Sequence, residues 1–197
     1  SKVGFTISPT IVGVLPTAMK YLIDYPYGCV EQTTSRFVPA LIAKVNQDIF
    51  ANSLEDKNIE INDVIKKGLS RLSTLQRSDG GWTWWYSGGS DPFITSYVVE
   101  YVLLAKQAGF EVDDKVLKDA QKFLESEKLY DFSIQQEREF SKEEIISKNY
   151  ALTLLGEKDK VKKVSDLDNL SADLLSIAVM TNYLNGDKNT LTNGLEK

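Results

Sequence analysis

Apolar residues recur at steps of three and four along almost the whole chain, and this spacing constrains the fold more than any other feature of the sequence. It places apolar side chains on one face of an α-helix. No segment shows the sustained period-two alternation of a strand, although residues 3–7 are expected to form a short extended lead-in. Seven helices are therefore predicted, over residues 11–23, 30–46, 61–75, 92–108, 116–124, 145–155 and 170–184.

Particular residues mark where the predicted helices begin, bend and end. Asp91 suits an N-cap and Pro92 suits the first helical position, while Gly109 follows the last apolar residue of the same helix. Pro39 is expected to kink or restart the second helix, because proline has no N–H to donate. The glycine-rich segment 79–90 is predicted to be a loop.

Seven helices joined by short polar turns predict an all-α domain. A chain of 197 residues can bury a sizeable core in one domain without disulfides or metals. Short turns favour antiparallel hairpins stacked side by side, and exposed helices alternating with more buried ones are typical of a double-layered ring or solenoid. The last predicted helix, over residues 170–184, is apolar on nearly all sides and is expected to be packed on both faces.

Histidine is absent from the sequence, and Cys29 is the single cysteine. This composition removes the usual general base and any Ser-His or Cys-His catalytic pair, and it argues against a zinc site. We therefore predict no metal and no cofactor. A net charge of −5 gives no support to nucleic-acid binding. No apolar run reaches membrane-spanning length, so no membrane contact is predicted.

The single cysteine stands three residues before Gln32, in the segment YPYGCVEQ. If a helix begins near residue 30, this spacing puts the sulfur and the carboxamide on the same side of its first turn. A helix N-terminus favours a thiolate, which can attack the Gln32 side-chain carbonyl, release ammonia and close an internal thioester. Gly28 removes a side chain where the ring must close, and Glu31 could add polar or acid–base assistance. The alternative stays open, since a lone cysteine near a helix start is commonly a small buried hydrophobe.

Three segments of the chain resemble one protein family. The segment YPYGCVEQTTSRF is similar to the thioester segment of the bacterial alpha-2-macroglobulins, whose core is Cys-x-Glu-Gln preceded by Tyr-Pro-Tyr-Gly. The apolar helix after Ser8-Pro9-Thr10 resembles that family's approach to the motif. Residues 75–109 resemble its segment of Asp-Gly-Gly, paired aromatics, Gly-Gly, Asp-Pro and a long helix. Eukaryotic alpha-2-macroglobulins and complement components carry a related motif, with glycine at the position of Val30.

The resemblance runs over essentially the whole chain. It implies that residues 1–197 are a thioester domain with an α/α-toroid fold, partial because the family's toroid needs more than seven helices, and cut from a larger protease-trapping protein. By position, Cys29 would be the thioester sulfur and Gln32 the acyl donor. The implied activity is one-time covalent capture of lysine amines rather than enzymatic turnover. The implied partners are target proteases and the other domains of the parent protein, in the periplasm or at the cell envelope.

Complement relatives use a downstream histidine to hand the acyl group to hydroxyls, and this chain has no histidine. The corresponding loop is expected within residues 131–140. Without imidazole to form an acyl intermediate, direct attack by amines should be favoured. The three tryptophans of the 79–90 loop are predicted to pack it onto the core. The alternative is that they help Tyr25 or Tyr27 to keep water from the thioester.

Two rival interpretations stay open. Residues 76–82, with the pattern Gln-x-x-Asp-Gly-Gly-Trp, resemble the glutamine–tryptophan repeat of terpene cyclases, and prenyltransferases share the toroid. Those enzymes need an aspartate cluster or a Cys-His-Asp zinc site, whereas Asp113 and Asp114 form an isolated pair that suits helix capping. The second rival is a helical scaffold without covalent chemistry, in which Cys29 is inert.

Overall fold

The computed structural model describes residues 28–46, 61–85, 87–164 and 166–187. This part of the chain is mainly helical, so the all-α prediction is confirmed, while the predicted lead-in and the helix over 11–23 lie outside it. No helix of the described part has the length and apolar composition needed to cross a bilayer. The described elements are α1 (Val30–Val45), α2 (Ile61–Leu75), α3 (Pro92–Gln107), α4 (Asp114–Glu125), β1 (Lys128–Asp131), β2 (Gln136–Glu139), α5 (Lys142–Leu155), a short 3₁₀ helix (Lys158–Lys160) and α6 (Ala172–Leu184).

Local sequence signals set the ends of the helices. The Asp91 carboxylate accepts hydrogen bonds from the backbone N–H groups of Phe93 and Ile94, at 2.8 and 3.1 Å, and Pro92 is the first helical residue as predicted. Gly109 and Gly156 follow α3 and α5 with φ of 87° and 90°. Residues that have a side chain rarely adopt this left-handed backbone conformation, which is why glycine ends both helices.

The helices alternate between strongly buried and half-exposed positions along the chain. Helices α1, α3 and α5 bury side chains around much of their circumference, whereas α2, α4 and α6 bury a narrower stripe. Helix α3 contacts α1, α4 and α5, and α5 packs against both α3 and α6. This is the double-layered pattern that the sequence predicts. The largest fully buried side chains include Phe37, Leu41, Ile65, Leu72, Trp82, Ile94, Leu124 and Leu152.

Helices α1 and α2 approach most closely at Gly68. A Cβ at this position would lie 2.6 Å from Cβ of Phe37, which is itself fully buried. Helix α1 continues through Pro39 without interruption, so the expected restart there is wrong. Burial of both Phe37 and Leu41 against the core keeps this segment helical, despite the hydrogen bond that proline cannot donate.

A β-hairpin between α4 and α5 was not predicted from the sequence. Strand β1 pairs with β2 in antiparallel fashion, with Lys128 opposite Glu139 and Asp131 opposite Gln136. Leu129 is the only buried residue of the two strands. With so few apolar residues, the hairpin has no periodic pattern from which it could be predicted. It is a small addition to a helical domain.

Arg138 joins the hairpin to the start of α5. Its guanidinium donates to both carboxylate oxygens of Glu144 at 2.7 Å, and its Nε donates to Asp131 at 3.1 Å. Glu144 also accepts from the backbone N–H of Ser141 at 2.8 Å, which completes a capping box. The guanidinium lowers the pKa of Glu144. Hydrogen bonds from Ser133, and then from Arg138, lower the pKa of Asp131 to about 2.

The loop after α2 is tied to two helices. Gln76 Nε2 donates to the carbonyl oxygens of Gly80 and Val116, at 2.8 and 2.9 Å, and so links the loop to α4. Trp82 is fully buried and its indole N–H donates to the carbonyl of Leu72 at 2.8 Å, which links the loop to α2. The pattern that resembles a glutamine–tryptophan repeat is therefore a structural brace.

Helix α6 packs on α5 with one face. Ala178 and Thr181 are its buried residues, whereas Met180 and Tyr183 are exposed. The expectation of packing on both faces is wrong within the described part of the chain. A helix that is apolar on all sides can be buried on both faces, but it is buried only where another element packs against each face.

Replacement of Arg138 by Gln should destabilise the domain at neutral pH and much less in acid. Glu144 and Asp131 have folded-state pKa values below their unfolded values, so their contribution is complete above the unfolded pKa and is lost as the pH falls through the folded one. Loss of the bidentate pair to Glu144 should cost about 2 kcal/mol at neutral pH. This difference should shrink between about pH 5 and pH 2.

Urea unfolding of both chains across this pH range measures the effect. Lys128→Gln, which removes an exposed ion pair of 3.9 Å on the same hairpin, is the matched control and should change stability little at any pH. An Arg138→Gln difference that is equal at neutral and acid pH would contradict the prediction.

Candidate functional site

The predicted site residues meet at the first turn of α1. Cys29 is the N-cap, with an extended backbone (φ −64°, ψ −179°), and the helix begins at Val30. The prediction that Cys29 lies at a helix N-terminus is confirmed. Its side chain is buried, at 4% exposed. The sulfur is therefore shielded from solvent beside first-turn N–H groups, which have no partner within the helix.

Gln32, the third residue of α1, turns its side chain back toward Cys29. Gln32 Oε1 accepts a hydrogen bond from the backbone N–H of Cys29, with an N···O distance of 3.3 Å. In return, the Cys29 side chain faces the backbone N–H of Gln32, so the two residues form a capping box. Sulfur is a weak acceptor, so the hydrogen bond from the Cys29 N–H to Gln32 Oε1 is the stronger of the two contacts in this capping box. The box keeps the carboxamide close to Cys29.

Gly28 leaves the space that the Gln32 side chain occupies. A Cβ at position 28 would lie 1.5 Å from Oε1 and 2.7 Å from Cδ of Gln32. Any other residue would displace the carboxamide from the N-cap. The glycine is needed here for space rather than for a left-handed backbone.

Two buried threonines stabilise the same turn. Thr33 Oγ1 donates to the carbonyl of Cys29 at 2.9 Å, and Thr34 Oγ1 donates to the carbonyl of Val30 at 2.8 Å. Both side chains are fully buried, so their hydroxyls require these partners. Neither threonine was predicted from the sequence to belong to the site. The available signal was a pair of adjacent threonines directly after Gln32 in the predicted helix.

Glu31 faces a different side of α1 from Cys29 and Gln32, because successive helical residues are about 100° apart. Its Oε1 accepts a hydrogen bond from Ser35 Oγ at 2.7 Å, one turn further along the helix. The structure thus places Glu31 next to the Cys29–Gln32 pair, with its carboxylate turned to a neighbouring cavity.

That cavity has a volume of about 280 Å³ and lies between α1, α3, α5, α6 and the loop before α3. Tyr97 and Glu100 of α3 and Tyr150 of α5 contribute to its walls. The Tyr150 hydroxyl donates to Glu100 Oε1 at 3.1 Å. Burial raises the pKa of Glu100, and it raises the pKa of Tyr150 to about 12. Sequence reasoning missed these residues because only the tertiary fold brings them together.

The three tryptophans of the loop differ in burial. Trp82 packs the loop onto the core as predicted. Trp84 is 39% exposed and Trp85 is 69% exposed, so the packing prediction is wrong for these two. Trp84 lines the cavity that Glu31 also lines.

Comparison with known protein families identifies the domain. The family model described as "A-macroglobulin TED domain" matches residues 1–154, which is most of the chain. The chain belongs to the A-macroglobulin TED domain family. The resemblance of its sequence to the thioester domain of bacterial alpha-2-macroglobulins is thereby confirmed.

Curated relatives and solved structures of this TED domain agree. Alpha-2-macroglobulin of Thermotoga maritima is 41% identical over 115 residues, which cover 58% of this chain and 7% of that protein. Alpha-2-macroglobulin of Escherichia coli is 33% identical over 95 residues, covering 48% of this chain and 6% of that protein. Native E. coli alpha-2-macroglobulin matches in structure with a TM-score of 0.69 and 21% identity, over 92% of this chain and 12% of that one. At this identity the match shows the fold, and the chain spans a small part of each relative.

The family match replaces the terpene-cyclase interpretation. In the TED domain Asp113 accepts from the backbone N–H of Lys115 at 2.8 Å, and Asp114 pairs with Lys106 at 2.6 Å, so the acidic pair serves the start of α4 as expected. Residues 131–140 include the turn and second strand of the hairpin. Their correspondence to the histidine loop of complement relatives stays a prediction.

We expect Gly28→Ala to displace the Gln32 carboxamide and to leave the fold intact. The new methyl group would overlap the far end of a flexible side chain, which can rotate away, so the free energy of unfolding should change by no more than about 1 kcal/mol. The Cys29 N–H would lose its acceptor. Its hydrogen exchange should become faster by roughly fivefold to tenfold, the equivalent of one hydrogen bond.

NMR-detected amide exchange, with thermal unfolding alongside, measures both effects. Ser70→Ala, on the exposed side of α2, is a control that should leave Cys29 exchange unchanged. The steric role of Gly28 would be disproved if the Cys29 amide exchanged at the same rate in Gly28→Ala as in the unaltered chain.

Proposed function

We propose that the Cys29 sulfur and the Gln32 side-chain carbonyl form an internal thioester, and that the domain is the covalent capture element of a macroglobulin-type protease inhibitor. The main observation that supports this proposal is the reciprocal contact of these two residues at the start of α1. The steric fit of Gly28 against Gln32 supports it, because the sequence reserves this space for the carboxamide. Membership of the TED domain family supports it independently.

Thioester formation is a substitution at the Gln32 carbonyl carbon. The Cys29 thiolate attacks this carbon, the C–N bond of the carboxamide breaks, and the proton given up by the thiol leaves with the nitrogen as ammonia. Free N–H groups and the macrodipole of α1 favour negative charge on the attacking sulfur. Burial of Cys29 at 4% exposure then protects the product from hydrolysis by water.

Capture of an amine is a second substitution at the same carbonyl carbon, with the Cys29 sulfur now as the leaving group. A neutral amine attacks the Gln32 carbonyl, the C–S bond breaks, and the amine proton passes to the departing Cys29 sulfur, which leaves an amide and a free thiol. The thioester is consumed, so each chain reacts once and the domain is not an enzyme. Neutral hydroxyls are weaker nucleophiles, and the chain has no histidine to take their proton. A Salmonella alpha-2-macroglobulin has been crystallised after reaction with methylamine, which agrees with reaction toward amines.

The wider context of the domain is part of the same proposal. The relatives are alpha-2-macroglobulins, so the expected partners are target proteases, captured through lysine amines, and the other domains of such a protein. We place the protein outside the cytoplasm, in the periplasm or at the cell envelope, because a protease trap meets its targets there.

Mass-resolved uptake of methylamine tests the proposal. We expect one methylamine per chain in the unaltered protein and none in Cys29→Ala or Gln32→Ala, since each variant lacks one side of the thioester bond. Glycerol at matched concentration should be incorporated poorly. Glu31→Gln should still form some thioester, because no covalent bond involves its carboxylate.

Thermal unfolding of the same variants separates chemistry from packing. Cys29→Ala should cost about 1 kcal/mol, the loss of one small buried group. A Cys29→Ala chain that fails to fold, or a Gln32→Ala chain that still takes up methylamine, would refute the assignment. The first result would favour an inert packing cysteine, and the second would show a different acyl donor.

A further inference from the structure

The cavity beside α1 carries two carboxylates and no cationic side chain. Glu31 lines it from α1 and Glu100 lines it from α3, and no lysine or arginine is among its described lining residues. Neither glutamate takes part in a described ion pair. Two carboxylates in a partly desolvated site attract a cation and repel an anion. Burial also raises the pKa of Glu100, a cost that a bound cation would offset.

Glu100 and Ser96 place hydrogen-bond acceptors on one face of α3. The two residues are four positions apart, so one helical turn separates them. Ser96 is 3% exposed, and its buried Oγ has no hydrogen-bond partner among the described residues. Buried hydroxyls normally have partners. An unpaired one in the wall of a cavity indicates a ligand group that hydrogen-bonds to it.

Aromatic rings make up much of the remaining wall. Phe93, Tyr97 and Tyr150 lie around the cavity, and Trp84 stands at its exposed side. Aromatic faces attract cations and also cover the methylene stems that carry them. A volume of about 280 Å³ is at the low end for small-ligand sites. The cavity therefore suits a slender chain that ends in a cation.

We propose that this cavity binds a primary alkylammonium group, with Glu100 and Ser96 accepting its hydrogen bonds and the aromatic rings covering its stem. The lysine side chain is such a group. Glu31, which lines the cavity, directly precedes Gln32 in α1, and the two side chains lie on different sides of the helix. This role rests on the proposed function: the cavity gathers lysine ammonium groups beside the first turn of α1, and an amine that has left the cavity and lost its proton to solvent attacks the thioester. Glu100 is then a specificity-determining residue, and it acts by binding rather than on the reacting atoms.

Equilibrium binding to a Cys29→Ala chain tests the cavity without any thioester chemistry. The probe is n-butylammonium, which has the length of a lysine side chain, and n-butanol is its uncharged counterpart. NMR titration of the Trp84 indole N–H follows occupancy. Butylammonium should bind, and butanol should bind at least roughly tenfold more weakly, because it lacks the charge that Glu100 recognises.

Two variants assign the site within the same background. Glu100→Gln keeps an acceptor for Tyr150 but removes the charge, and it should weaken butylammonium binding by roughly tenfold or more. Ser96→Ala removes a hydroxyl without a described partner in the fold, so it should leave stability intact and weaken binding severalfold. Glu111→Gln, an exposed carboxylate away from this cavity, is the matched control and should change nothing. Equal binding of butanol and butylammonium, or no effect of Glu100→Gln, overturns the proposal.

Reaction kinetics of the thioester-bearing chain connect the cavity to capture. The rate of n-butylamine uptake should saturate with concentration, and Glu100→Gln should raise the half-saturating concentration while the maximal rate changes little. A rate that rises linearly with n-butylamine concentration and is the same in Glu100→Gln would overturn the cavity's role in capture. Methylamine uptake would still support the thioester in that case. Absence of all amine uptake would instead refute the proposed function. The binding of butylammonium to Cys29→Ala would then still decide whether the cavity is an ammonium site.

Discussion

The hydrogen bond from the Cys29 N–H to the Gln32 side chain is the contact on which the proposed function of the domain depends. It folds a carboxamide back over the N-cap of α1, and it can exist only because position 28 has no Cβ. A capping box ordinarily serves a helix end by satisfying two free N–H groups. Here the same geometry also keeps the Gln32 carboxamide close to the Cys29 side chain, which is the arrangement that the proposed thioester requires.

The rest of the fold keeps that first turn in place. Thr33 bonds the carbonyl of Cys29, and Phe37 locks α1 against Gly68 of α2. Because α1 is one of the buried helices, the N-cap cannot shift without moving the core around Phe37. The cavity beside this turn opens on a different side of α1, where Glu31 lines it, whereas Cys29 stays buried.

The features that could be predicted from sequence are those set by local chemistry. Asp91 caps α3 through its own following N–H groups, and Cys29 and Gln32 are close because three residues make nearly one helical turn. The hairpin could not be predicted, since its hold on α5 comes from Arg138 reaching Glu144 rather than from an apolar pattern. The residues that line the cavity could not be predicted from the sequence either. Residues such as Glu100 and Tyr150 are fifty positions apart and meet only through packing of α3 on α5. Exposure of tryptophans in the 79–90 loop likewise depends on the final packing, which composition does not determine.

A count of reactive thiols tests the internal thioester most directly, because Cys29 is the only cysteine. An intact thioester predicts no titratable thiol in the freshly purified chain, even after rapid denaturation, and an intact mass one ammonia below that of the sequence. After treatment with methylamine, one thiol per chain should appear. One thiol per chain before any amine is added, together with the full mass of the sequence, would contradict the thioester and leave Cys29 as an ordinary buried side chain.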